Sequence, residues 1–493
     1  MSPSTVHGRL RRERLDPTLR RIGLVTILGS VMSVLDTMVV NVALDSLSRK
    51  LHTDIETIQW VVTSYLLALA ATVPISAWAA RRIGVKKLYL ISLLIFTVGS
   101  ALCGLAWSAG SLIVFRVLQG IGGGMIVPVG QMIIVRAAGK DNLGRVMGVL
   151  STPTILAPIF GPTIGGLLLQ AFGWQWIFLI NIPVGVVALI LGQRILPPDQ
   201  PEAAGRLDVP GFVLAGLGTV ALIYGLAETA SKGDLMRVGS GGAVLAGAIL
   251  LVAFVRESLR SSAPLLDLTV FRDRTYTAVT ITALMSSAAM FSAMIITPLY
   301  FQIVRGQDAT RTALLVAPVS IGVVLVISRA GRASDRYGGG RVSVIGLVVG
   351  ALSLLPFIVF DEHTPYIVTI LVNIMRGIGF GALGTPLFAV AFAALGEKHT
   401  RDVSAQMNIV MRVGGSLGTA IATVILQRAL SHHGGTPAQS AIAFQETYVW
   451  LTAISVVAIV PAARLWIIER RTGLRRLESA SALEVVEAKV ESA

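Results

Sequence analysis

The chain alternates between long apolar runs and short polar breaks from near its start almost to its end. A helix crosses a bilayer with about 20 apolar residues at ~1.5 Å per residue. Runs of that length fall at 22–46, 58–80, 87–107, 110–136, 143–171, 174–196, 209–227, 238–255, 275–303, 311–333, 342–360, 366–395, 403–427 and 447–468. These fourteen segments predict an all-α polytopic membrane protein. The composition, 54% hydrophobic and 14% charged, exceeds what a soluble domain can hide. The first run is too long for a signal-peptide core and reads as a retained helix.

The net charge of +14 points to a membrane surface once its distribution is read. Arg9, Arg11, Arg12, Arg14, Arg20 and Arg21 precede the first run. Arg81, Arg82, Lys86 and Lys87 follow the second, and Arg136, Lys140 and Arg145 follow the fourth. Basic residues cluster again after the eighth, tenth and last runs, while the alternate loops hold few. This positive-inside pattern predicts both termini in the cytoplasm and argues against nucleic acid as a partner. All seven tryptophans fall at predicted span ends, as an interfacial belt requires. Cys103 is the sole cysteine, so no internal disulfide can form.

Internal repetition divides the chain. The segment 77–84 matches 331–338 at an offset of 254. Gly120–Gly124 matches Gly377–Gly381 at 257, and Gly161–Gly166 matches Gly414–Thr419 at 253. Each match displaces a span by eight places, so the copies run parallel, as in transporter repeats about an axis along the membrane normal. The expected organisation is a basic tail at 1–21, a six-helix bundle at 22–200, two inserted helices at 201–260, a second six-helix bundle at 261–468 and a tail at 469–493.

Charges inside the spans mark candidate chemistry. Asp36 lies deep in the first run, and an intramembrane carboxylate is a functional hypothesis by default. Arg116 lies at a similar depth and is its expected partner across a cavity, although an arginine can also snorkel to the interface. Gln119 follows one turn on and can join the pair. The repeat sets Asn373 opposite Arg116 and Arg376 opposite Gln119. Met38, Met125, Met285, Met290 and Met294, with Asn41, Asn373 and Arg376, are candidates for the wall of a substrate cavity, where methionine adapts to varied shapes. No phosphate-loop motif is present, so no nucleotide cofactor is expected and energy should come from an ion gradient. His432 and His433 alone do not make a metal site.

Four segments taken together resemble the major facilitator superfamily, and within it the fourteen-helix drug:proton antiporters: Leu35–Leu44, Arg116–Gly120, Gly161–Gly166 and Trp174–Pro183. The resemblance implies proton coupling through Asp36, Arg116 and Gln119. It implies that Gly161, Pro162, Gly165 and Gly166 form the motif that marks exporters and seals the two bundles. It implies a gate on the cytoplasmic side at Arg81, Arg82 and Gly84 in the first copy and Gly331, Asp335, Arg336 and Gly338 in the second. The first copy departs from the family pattern, since Ala77 and Arg81 stand where the family has glycine and aspartate. That reversal predicts a weakened or asymmetric gate, and an outward-facing state that an acid at 81 would favour.

The sequence reading is therefore a proton-driven exporter of hydrophobic or cationic compounds, working as a monomer in a bacterial cytoplasmic membrane. A lipid or metabolite exporter on the same fold is the alternative.

Overall fold

The computed structural model describes residues 16–138, 146, 161, 164–198, 201, 205–232, 238–261, 264–396, 399–433 and 435–491. In chain order its helices are α1 (Pro17–Lys50), α2 (Ile55–Thr72), α3 (Ile75–Ile83), α4 (Val85–Gly104), α5 (Ala109–Ala138), α6 (Gln175–Leu179), α7 (Asn181–Ile195), α8 (Val209–Lys232), α9 (Val238–Arg260), α10 (Arg274–Ile303), α11 (Ala309–Val316), α12 (Pro318–Tyr337), α13 (Gly339–Leu354), α14 (Tyr366–Gly381), α15 (Gly384–Leu395), α16 (Thr400–His433) and α17 (Pro437–Glu491). No strand occurs among the described residues.

Twelve helical segments among the described residues are long and apolar enough to span a membrane, thirteen when the bent pair α2–α3 counts as one span. That pair turns by 58° at the Val73–Pro74 step, where proline removes a backbone donor. Most of the expected fifth span, with Pro162, Lys140 and Arg145, lies outside the described residues.

Local chemistry sets the breaks between spans. Asp54 caps α2 by accepting from the Thr57 amide at 2.6 Å, and Asp273 caps α10 by accepting from that of Tyr276 at 2.7 Å. Gly84 and Gly338 each have φ 87° and end α3 and α12 at equivalent points of the repeat. The repeat also governs packing. On α5, Gly120 and Gly124 meet α2 at Tyr65 and Leu69, while Gly122 meets α4 at Phe96. On α14, Gly377 and Gly381 meet α12 at Val319 and Val323, while Gly379 meets α13 at Gly350. Small residues let the helix backbones close up where lipid provides no hydrophobic drive.

The start of α1 and the Leu465 turn of α17 lie on one side of the molecule. Leu19 of α1 and Leu465 of α17 share an apolar cluster with Val135, Val270 and Val403, and this cluster spans both bundles. We call this side the terminal face. Toward the opposite face the cores separate. Leu47, Ile58, Ala106 and Trp174 pack within the N-terminal bundle, whereas Tyr300, Phe360, Leu426 and Phe444 pack within the C-terminal one. Trp174, 6% exposed, is thus a core residue and not a member of the interfacial belt, because its ring packs edge-on against Phe178.

The inserted helices α8 and α9 join through close approaches at Gly218, Gly225 and Gly247. α8 then contacts both bundles. Tyr224 stacks on Trp60 of α2 with ring centroids 6.0 Å apart, and Leu222 and Leu226 pack on Ala420 of α16.

Candidate functional site

Within the N-terminal bundle α1, α4, α5 and α7 bring polar side chains to one buried point. Arg116 of α5 donates from Nη1 to Asp36 Oδ2 at 2.5 Å and to Gln119 Oε1 at 2.7 Å. Its Nε donates to the Val61 carbonyl at 3.0 Å. Gln119 Nε2 and Asn181 Nδ2 donate to Asp36 Oδ1 at 2.9 and 3.1 Å. The same two amides donate to Ser100 Oγ, each at 2.9 Å, and Ser100 Oγ donates to the Phe178 carbonyl at 3.1 Å. The guanidinium also lies 4.0 Å from the centre of the Tyr65 ring, a cation–π contact.

The sequence paired Asp36, Arg116 and Gln119, and the structure brings them together. It places them differently from the expectation. Their side chains meet inside the N-terminal bundle, with both charged groups 0% exposed, and not across an open cavity. Asn181 and Ser100 complete the cluster and were not singled out. Each is a neutral polar residue in an apolar run, with little to set it apart from a helix-packing hydroxyl or amide.

A counterpart occupies the C-terminal bundle. Arg376 donates to Thr297 Oγ1 at 2.5 Å and to Asn373 Oδ1 at 2.6 Å, and Asn373 donates to the Leu315 carbonyl at 2.9 Å. Thr297 shares a hydrogen bond with the Tyr448 hydroxyl at 2.9 Å. Arginine and amide have exchanged places between the two copies, and no carboxylate joins the second cluster among the described residues. Asn373 and Arg376 are buried inside their bundle, so in this conformation they do not form a cavity wall.

The remaining candidates divide. Met125 is 7% exposed and belongs to the N-terminal core, so it is not on an open wall; Met294 is 43% exposed. Met38 and Met290 are half-buried, and Asn41 is exposed and bonded to the Thr37 carbonyl at 3.0 Å. Met285 packs at the edge of a cluster with Leu347 and Ala458. A Cβ at Gly161 would fall 2.6 Å from Met38 Cβ, and one at Gly165 would fall 2.9 Å from Val39 Cγ1, so both glycines pack on α1 beside Asp36. Gly166 has open space around it.

The terminal-face gate corrects the expectation for Arg81. Arg81 Nη1 donates to both carboxylate oxygens of Asp402 at 3.0 and 3.2 Å, and Nη2 donates to the Leu265 carbonyl at 3.3 Å. Asp402 sits in the first turn of α16, where a carboxylate also meets the positive end of the helix dipole. The acid missing from the first copy is therefore supplied by the other bundle. The contact is reversed in sign. Nearby, Ser404 Oγ donates to the Pro128 carbonyl at 2.9 Å and Asn408 Nδ2 to Gln131 Oε1 at 2.8 Å, both across the same interface. In the second copy, Gly340 N–H donates to Glu469 of the same bundle at 2.6 Å. Gly331 is buried in α12, and Asp335 and Arg336 are exposed near the end of that helix. Arg82 is likewise exposed.

An all-helical fold with twelve or thirteen apolar spans among the described residues, repeated motifs and a buried arginine cluster in each half has the architecture of a secondary transporter. A family model described as Major Facilitator Superfamily matches residues 26–419, and the chain belongs to that family. It is 34% identical over 442 residues to the multidrug resistance protein B homolog of Mycobacterium tuberculosis, covering 87% of this chain and 81% of that protein. It is 27% identical to the uncharacterized MFS-type transporter YhcA of Bacillus subtilis, covering 83% of this chain and 77% of that one. The fold is shared with the human organic anion transporter MFSD10, at TM-score 0.62 and 12% identity, covering 91% of this chain and all of that one.

Proposed function

We propose that this transporter is a proton-coupled exporter of hydrophobic small molecules, an antiporter working by alternating access across a bacterial cytoplasmic membrane. The observation that carries this reading is the commitment of Asp36 to Arg116. The carboxylate faces three donors, from Arg116, Gln119 and Asn181. A proton added to Asp36 removes the negative charge that balances Arg116 and brings a donor into a cluster of donors, so it weakens these contacts. Releasing Arg116 leaves a buried cation without its partner, which is costly enough to drive rearrangement. Proton binding and helix position are thereby coupled.

The basic loops support a cytoplasmic terminal face. With that face tied shut by Arg81, Ser404 and Asn408, the conformation corresponds to the outward-facing stage of the cycle. The name of the mycobacterial relative supports drug export as the direction and class. The cationic part of the expected substrate range is not carried forward, because Asp36, the acid at membrane depth, is already paired. A screen of hydrophobic fluorescent compounds in proteoliposomes with an imposed pH gradient tests the reading. Gradient-driven accumulation of at least one compound supports it, and movement that ignores the gradient overturns it.

A further inference from the structure

The seal between the bundles ends at a cation, Arg412, that no carboxylate pairs among the described residues. Ser404, Asn408 and Arg412 are four residues apart on α16 and so share one helix face. The first two bond to Pro128 and Gln131 of α5, so this face looks toward the N-terminal bundle. Arg412 follows one turn farther from the terminal face, ~18 Å along α16. Its Nε has no acceptor, and no carboxylate pairs with it among the described residues. The side chain stays part-exposed although its helix is packed on several sides. On the N-terminal bundle, Tyr65 of α2 is already engaged: its ring carries Arg116, and its hydroxyl bonds to Ser33.

The wider charge balance points the same way. Arg376 is 2% exposed, and its hydrogen-bond partners Thr297 and Asn373 are neutral. Asp36, the acid at this depth, is spent on Arg116. Two guanidinium groups at membrane depth therefore lack a matching carboxylate among the described residues. A charge left in that position is costly and marks a binding path. Guanidinium presents a planar fork of donors that matches an oxyanion.

We propose that Arg412 is the substrate-recognising cation of the central path, and that the compound moved is an amphiphile bearing a carboxylate, sulfonate or phenolate. The oxyanion sits on Arg412 above the Asn408–Gln131 seal, and the apolar body occupies the space between the bundles. A cationic compound meets the unmatched guanidinium of Arg412 there and is disfavoured. This narrows the export reading and rests on it only for the direction of transport.

The test uses the full-length protein in lipid nanodiscs and three probes that share one aromatic body: pyrenebutyrate, pyrenebutanol and pyrenebutylamine. Pyrenebutyrate should bind at least about tenfold more tightly than pyrenebutylamine. Arg412→Gln should lower that ratio by about tenfold, and Arg412→Lys should keep most of it, since a point charge replaces the fork. The wild-type ratio is decisive without any variant. A wild-type protein that binds the amine as tightly as the butyrate, or binds none of the three, overturns the proposal. An unchanged ratio in Arg412→Gln protein that elutes and melts like wild type does so too. Binding is read without a pH gradient. The predicted ratio in a protein that exports nothing would sink the export reading alone. Gradient-driven export that favours the amine would sink the anion assignment alone.

Discussion

Arg81 at the end of α3 reaches both carboxylate oxygens of Asp402 at the start of α16, at 3.0 and 3.2 Å, and so joins the two bundles on the terminal face. The side chains are 23% and 7% exposed, so solvent screens the pair in part. An ion pair of this kind contributes roughly 0.2–1 kcal/mol, which shifts a two-state balance by a few-fold.

Reversing one partner should open the gate. Arg81→Asp sets two carboxylates against each other and should move the population away from the state closed at the terminal face. The double variant Arg81→Asp with Asp402→Arg should bring it back. Spin-label distances between the terminal ends of α3 and α16 report this. If the single variant tightens the terminal face, the charge-reversed contact does not act as a gate.

Asn181 and Ser100 predict an effect that the charged residues alone do not. A hydrogen bond to a charged group contributes about 1.5–3 kcal/mol. Asn181→Ala removes one of the three donors to Asp36 and should lower the melting temperature and slow gradient-driven transport by about tenfold or more, matching that energy. Ser100→Ala should have a smaller effect, since Ser100 acts through the two amides. Equal, wild-type behaviour of both variants would remove them from the coupling cluster.

The glycines beside α1 separate by position. A Cβ at Gly165 lies 2.9 Å from Val39 Cγ1 and 3.1 Å from the Val39 carbonyl, so Gly165→Ala should cost roughly 1–3 kcal/mol by overpacking. Gly166 has nothing within 4 Å, so Gly166→Ala should be neutral or stabilising by up to about 1 kcal/mol through helix propensity. Thermal melts of the two purified variants check the order, and the reverse order would mean that this segment does not pack on α1 as described.

Much of this architecture is legible in the sequence because the bilayer forces it. A backbone in lipid must be helical, so apolar run length reads as span number, and the repeat offset then pairs α3 with α12 and α5 with α14. Asp36, Arg116 and Arg376 are legible because a charge at membrane depth needs a reason. Asp402 is not, because no one-dimensional pattern tells which acid of the other bundle answers Arg81. Asn181 and Ser100 carry no charge to betray them. Arg412 does carry one, by the rule that selects Arg376, yet its segment is read from the sequence only for the match of Gly414–Thr419 to Gly161–Gly166. The dryness of the Asp36–Arg116 pair also escapes the sequence, since depth along a helix says nothing about which way a side chain faces.

Topology follows from the basic loops. Tags at either terminus should be reachable only from the cytoplasm, and a label at His363, 85% exposed in the loop before α14, only from outside. Protease protection in intact cells and inverted vesicles decides it. Cleavage of a C-terminal tag in intact cells would reverse the assignment of the terminal face.

The central claim is that Asp36 carries the proton, and pH-gradient-driven transport by Asp36→Asn protein in proteoliposomes tests it most directly. An amide cannot titrate, so the variant should retain at most a gradient-independent leak of any compound that the wild-type protein accumulates. Loss of the carboxylate also strands Arg116, at a cost of about 3–5 kcal/mol, so the variant is compared with an Arg116→Gln, Asp36→Asn double variant that should melt higher and still fail to couple. Accumulation by the single variant at the wild-type rate, with the wild-type response to the gradient, would contradict the account.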